Sequence, residues 1–124
     1  MEGTNPMPLQ LANIVIDCQN PEKLAEFWSE AIGYTKVGIF NQYAVLEDPA
    51  RKGSNLLLQQ VLEPRSGKNR VHWDWLAPNK AEQQSEIARL IELDATKISE
   101  TQESDASWTV MQDPEGNEFC VAFH

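Results

Sequence analysis

The sequence predicts an α+β fold: two tandem βαβββ modules whose curved mixed sheets face each other and enclose a cavity. Three observations carry this expectation. A β-rich run, a capped helix and three short strands occur in the same order twice. Equivalent residues of the two copies stand a nearly constant distance apart. At 124 residues the chain is one domain in size, and each half can bury only one sheet face, so the halves must pack together.

The first copy opens with the β-rich run Leu11–Cys18. Asn20 is a good N-cap, and Pro21 suits the first helical position. Leu24, Phe27, Trp28, Ala31 and Ile32 then recur at helical spacing, one buried stripe on a helix over Pro21–Ile32 that Gly33 ends. Short runs at Thr35–Phe40, Tyr43–Leu46 and Asn55–Val61 read as three strands.

The second copy repeats the order. Val71–Leu76 is a strand, and Asn79 caps a helix over Lys80–Leu93 with Glu82 placed for a capping box. Ile87, Leu90 and Ile91 form its apolar stripe. Ala95–Ser99, Trp108–Gln112 and Glu118–Phe123 complete the strands. Asn20 and Asn79 are 59 residues apart, whereas Thr35 and Thr96 are 61 apart, so the second helix is about two residues longer. Glu47-Asp48-Pro49 and Gln112-Asp113-Pro114 both open a turn, with Gly53 or Gly116 supplying a positive φ. The modules therefore run over about 9–64 and 65–124, behind a flexible leader at Met1–Pro8.

Composition narrows the function. The formal net charge is −9, which repels phosphate backbones, so nucleic acid is not an expected partner. Arg65, Lys68 and Arg70 make the one basic cluster, either a solvated loop or a lip for an anionic ligand. No apolar run reaches the ~18 residues of a membrane helix. The leader lacks a basic region followed by an apolar one, so a cytoplasmic location is expected, with Cys18 and Cys120 as reduced thiols.

Three segments carry a resemblance: DCQNPEKLAEFWSEAIGY, LLLQQVLEPRSGKNRVHWDWLAP and DPEGNEFCV. In this order they resemble the vicinal oxygen chelate (glyoxalase/bleomycin resistance/dioxygenase) superfamily, from about Leu9 to the C-terminus. The middle segment is similar to a glyoxalase-like branch found mainly in bacteria. Metal-dependent members use four cavity positions, and the matching residues here are Asn13, Gln59, His72 and Cys120. The resemblance also implies a homodimer, with Trp73–Trp75 and Phe27–Trp28 as candidate contact surfaces.

That ligand set is poor for a metal. Mg²⁺, Mn²⁺ and Fe²⁺ favour anionic oxygen, and the four positions contain no carboxylate. Zn²⁺ could use His72 and a Cys120 thiolate, but Asn13 and Gln59 are weak neutral ligands. No metal and no cofactor are expected. Instead Asn13, Gln59, His72, Cys120 and Trp108 are candidate ligand-binding residues for a small organic molecule. Asp74 shares strand parity with His72, so both should point into the cavity. A carboxylate beside an imidazole can hold a proton for acid–base work, making His72 and Asp74 the candidate catalytic pair of a lyase or isomerase. Each has a plainer reading as well: His72 as a hydrogen-bonded wall residue, Asp74 as a partner for backbone or a neighbouring strand. Trp73, Trp75 and Trp108 could stack on a ligand or serve as core or dimer contact. Three functions follow: a metal-independent small-molecule binder or converter, a metal-dependent enzyme with unusual ligands, and a structural or regulatory dimer with a filled cavity.

Overall fold

Alternation of apolar and polar residues buries one face of strands such as those at residues 43–47, 55–60 and 106–112. In the computed structural model, which describes residues 8–124, the elements are β1 Asn13–Cys18, α1 Pro21–Ile32, β2 Thr35–Phe40, β3 Tyr43–Glu47 and β4 Asn55–Gln60. The second set is β5 Trp73–Leu76, α2 Lys80–Glu92, β6 Thr96–Glu103, β7 Ala106–Gln112 and β8 Glu118–Phe123. All but Pro8 of the expected leader lies outside the described residues. The strands form two four-stranded mixed sheets, ordered β1-β4-β3-β2 and β5-β8-β7-β6. β1 runs parallel to β4, and β5 parallel to β8, because each module returns its last strand beside its first after a helical crossover.

The repeat extends to backbone detail. Both modules carry a register shift at the same place, between Lys36 and Gly38 and between Lys97 and Ser99. Asn20 Oδ1 accepts from the Lys23 N–H at 3.2 Å, and Asn79 Oδ1 from the Glu82 N–H at 2.8 Å. Gly33 ends α1 in the left-handed region at φ +79°. Sixty-one residues later, Asp94 takes the same role after α2 at φ +82°. Aspartate is among the few non-glycine residues that adopt this conformation readily.

Four expectations are corrected. β6 runs on to Glu103: its residues are solvent-exposed, so no burial pattern marks them, and pairing with β7 carries the strand. β5 begins at Trp73, where pairing with Phe119 starts, leaving Val71 and His72 before the strand. The α2 stripe uses Gln83, Ile87 and Leu90, while Ile91 is exposed. Gln83 is fully buried because its amide donates to the carbonyls of Ser107 and Val121 and accepts from the Ser107 hydroxyl at 2.6 Å. In the first Asp-Pro turn the positive φ falls on Arg51 rather than Gly53. Gly53 is required for space, since a Cβ there would stand 2.5 Å from the Tyr34 hydroxyl.

The two modules meet at α1. Trp28 is buried, with ring centroids 5.0 Å from Trp73 and from Phe119 and 6.4 Å from Trp75. Its indole N–H donates to Asp113 Oδ2 at 3.1 Å. Both ends of α1 are held by the second module. Glu115 accepts from the N–H groups of Gln19 and Asn20 at 2.6 and 2.9 Å, and Arg89 donates to the carbonyls of Glu30 and Ala31 at 3.0 and 2.8 Å. Phe27 and Trp28 are thus core residues of one chain, which removes them as a dimer surface. Trp73 and Trp75 pack on the same core.

Candidate functional site

Strand alternation decides which side chains leave the core. On β8, Phe119 and Val121 face the aromatic cluster, so Cys120 and Ala122 face the other side of the sheet. On β5, Trp73 and Trp75 turn to the core and Asp74 turns away. The parallel register sets Asp74 beside Cys120. His72, two residues before Asp74, shares its side. The result is a tight cluster: His72 Nδ1 is 3.6 Å from Asp74 Oδ1 and 3.8 Å from Cys120 Sγ. All three ligand atoms lie within 4.8 Å of one another. His72 and Asp74 are exposed, whereas Cys120 is buried.

The electrostatics restrict the chemistry. Burial pushes the Cys120 thiol up to about 11, with the Asp74 charge and a hydrogen bond to it adding to the shift. The thiol is therefore protonated at neutral pH and is not an activated nucleophile. A Cys-His-Asp relay would also need both imidazole nitrogens, one for each partner. Here Nδ1 alone meets both neighbours.

The other site residues stand elsewhere. Trp108 is on the same sheet and face as Cys120, opposite Ala122 in register. Asn13 and Gln59 belong to the first sheet, Asn13 opposite Asn55 and Gln59 opposite Asp17. Neither amide hydrogen-bonds to His72, Asp74 or Cys120 among the described residues. The four positions implied by the resemblance hold no carboxylate, which makes them a poor donor set for a hard divalent metal. Arg65 is also drawn away from the expected role as a lip for an anionic ligand. Its guanidinium contacts Glu118 at 3.3 Å and Asn69 at 3.0 Å, which fixes the loop instead.

A cleft of about 680 Å³ lies between β1 and the segment that leads into β5, lined among others by Ile14, Ile16, Asp17, Glu63, His72 and Trp73. This is within the ~300–1,000 Å³ of small-molecule sites. Among its charged lining residues the acidic ones, Asp17, Glu63, Glu115 and Glu118, outnumber the basic ones, and Arg65 is already paired with Glu118.

The description "Glyoxalase-like domain" belongs to a family model that matches residues 13–122. The chain belongs to the glyoxalase-like domain family. With it comes membership of the vicinal oxygen chelate superfamily. Among solved structures, a glyoxalase/bleomycin resistance protein/dioxygenase family enzyme from Burkholderia phytofirmans PsJN is similar at TM-score 0.76 and 14% identity, covering 90% of this chain and 96% of that one. A glyoxalase-related enzyme from Fulvimarina pelagi reaches TM-score 0.75 at 17% identity, covering 93% and 88%. A lactoylglutathione lyase from Agrobacterium tumefaciens reaches 0.68 at 16%, covering 94% and 95%. At these identities the glyoxalase-like likeness is one of fold. No curated protein matches the sequence.

Cys120 was reached by matching motifs, and Asp74 by strand parity. Glu115, Arg89 and Gln83 were not reached. Their roles depend on contacts between elements far apart in sequence, which leave no periodic signal.

Proposed function

We propose that this glyoxalase-like domain binds a small organic molecule in the cleft between β1 and the segment leading into β5, through direct contacts and without need of a metal at the four-position set. The observation that carries the reading is the grouping of the exposed His72 and Asp74 with the buried Cys120 on one sheet face beside the cleft. His72 lines that cleft, and Trp108 stands on the same sheet face as the cluster. The acidic walls favour a neutral or cationic ligand over an anionic one. His72 and Asp74 are the pair able to pass a proton if the ligand is converted as well as bound.

The test is a thermal-shift screen of a small-molecule fragment panel in chelator-treated buffer, with hits retested on His72→Ala. Losing one hydrogen bond from the site is expected to weaken binding by roughly 1–3 kcal/mol. Hits unaffected by the substitution, or none at all, would refute the reading.

A cytoplasmic homodimer belongs to the same proposal. Val71 and Leu76 flank the cluster and are 84% and 63% exposed, and Leu62 is 90% exposed. Exposed large apolar side chains favour a protein contact. Light scattering at high micromolar concentration is expected to give twice the mass of the 14.0 kDa chain; a monomer mass would count against pairing.

A further inference from the structure

The aromatic cluster at the module junction treats two of its indole donors unequally. Trp28 Nε1 donates to the buried Asp113 carboxylate at 3.1 Å. The ring of Trp75, its centroid 6.4 Å from that of Trp28, has no such partner. Its indole N–H is the one buried side-chain nitrogen or oxygen without a hydrogen bond among the described residues. A buried donor left unpaired has lost its bonds to water with nothing in exchange, and native structures rarely keep one. Trp75 lines a second cleft, of about 320 Å³, on the helix side of the second sheet. Trp28 and Ala31 of α1 wall it from the first module, and Leu90 of α2 with Phe119 and Val121 of β8 wall it from the second. It shares no lining residue with the cleft beside His72.

We propose that this second cleft binds a small, flat, uncharged aromatic molecule with one acceptor atom, which takes the Trp75 indole N–H. The volume is at the lower end of the ~300–1,000 Å³ of small-molecule sites and suits one or two fused rings. The walls present both faces and edges of aromatic rings, since Trp28 meets Phe119 at 68° and Trp75 at 40°. Such angled rings pack well on a flat occupant. Charge selects against acids. The charged lining residues are Glu82, Glu86 and Arg89, and Arg89 is committed to Glu86 and to the carbonyls of Glu30 and Ala31. An anion would meet two carboxylates and a cation already spent. A purely apolar occupant leaves the indole N–H as it is, whereas one with an acceptor supplies the missing bond. The occupant would touch both modules at once, so binding should also raise the melting temperature.

This site is separate from the His72 cleft and stands or fails independently of it. The experiment titrates the full chain at pH 7 with quinoline, which carries one ring-nitrogen acceptor, and with naphthalene, which has the same shape and none. The 4 tryptophans give as many indole signals in a proton–nitrogen NMR spectrum, assigned from tryptophan-to-phenylalanine variants. Expected are one quinoline per chain and a downfield shift of the Trp75 indole signal. Naphthalene should bind roughly tenfold more weakly, the factor that a recovered hydrogen bond of about 1.4 kcal/mol supplies. Trp75→Phe keeps a ring in the cleft and removes the donor, so the two probes should then bind equally. Ala31→Leu partly fills the cleft and should weaken both probes while a cooperative melt is kept. His72→Ala should bind quinoline as wild type does; loss of binding there would put the probe in the first cleft and overturn the proposal. Equal affinity of the wild type for quinoline and naphthalene would overturn it too. So would a Trp75 signal that stays in place at saturation, its N–H held by a neighbouring ring or a water, or no saturable binding up to millimolar quinoline.

Discussion

Replacing Trp28 by alanine is expected to remove about 3–5 kcal/mol of folding stability, the range for deleting a buried aromatic side chain. The upper end applies here because Trp28 contacts both modules. It packs on Phe27 of its own helix and on Trp73, Trp75 and Phe119 of the second sheet. The resulting cavity has walls from both sheets and cannot close by the movement of one side chain. Since a domain of this size has only about 5–15 kcal/mol in hand, the variant should unfold near the assay temperature or lose the single cooperative transition. Trp28→Phe keeps most of the apolar volume and loses the N–H, at an expected cost of about 1–2 kcal/mol. Urea denaturation of both variants is the check. Equal, small losses would show that the modules do not depend on this contact.

Asp113→Ala is expected to cost about 3–5 kcal/mol. The carboxylate is 2% exposed and accepts from the Trp28 indole, from the N–H groups of Glu115 and Asn117, and from the Asn117 amide. Its removal strands several donors at once, each worth about 1–3 kcal/mol where water cannot replace the acceptor. Burial pushes this carboxyl above the usual carboxylate range, and the bonds from Asn117, Trp28 and Glu115 pull it only part of the way back. A group whose folded value is raised contributes fully below its unfolded pKa and loses that contribution as pH climbs through the folded value. The stability gap between wild type and Asp113→Ala should therefore narrow as pH rises above about 4. A gap that widens over that interval would reverse the assigned sign. Combining Asp113→Ala with Trp28→Phe should cost less than the two alone, because the lost indole bond is counted once.

Much of this fold could be read from spacing. The caps at Asn20 and Asn79 depend on local chemistry, and so does the stop at Gly33. Duplicated units then transfer each feature from one copy to the other. β6 escaped because its polar run Ser99–Glu103 carries no apolar alternation, although the hairpin with β7 makes it a strand. Gln83 escaped because a glutamine in a helix ordinarily reads as surface. Its burial follows from two carbonyls and a hydroxyl supplied by β7 and β8. At the site, His72 and Asp74 followed from strand parity. Cys120 needed the β5–β8 register to become their neighbour, and no rule of spacing relates residues 48 positions apart. Asn13 and Gln59 rest on family likeness and stand on the first and last strands of the first module, where that likeness puts them.

The fastening of α1 by Glu115 and Arg89 has a consequence for the order of folding. A helix exposes unpaired N–H groups and a positive dipole end at its start, and bare carbonyls and a negative end at its finish. Here the compensating carboxylate and guanidinium both come from residues more than 55 positions further along the chain. During synthesis the first half therefore leaves the ribosome with a helix that has its own Asn20 cap but neither the Glu115 carboxylate nor the Arg89 guanidinium. Its indole face is open too, because Phe119 emerges later still. Final docking of α1 must wait for the closing turn at Glu115. This gives a nominally local βαβββ unit a high contact order and the slower folding that accompanies it. The two halves are alike in outline yet unequal in role: the second fastens both ends of the first one's helix, and among the described residues no side chain of the first half caps an end of α2.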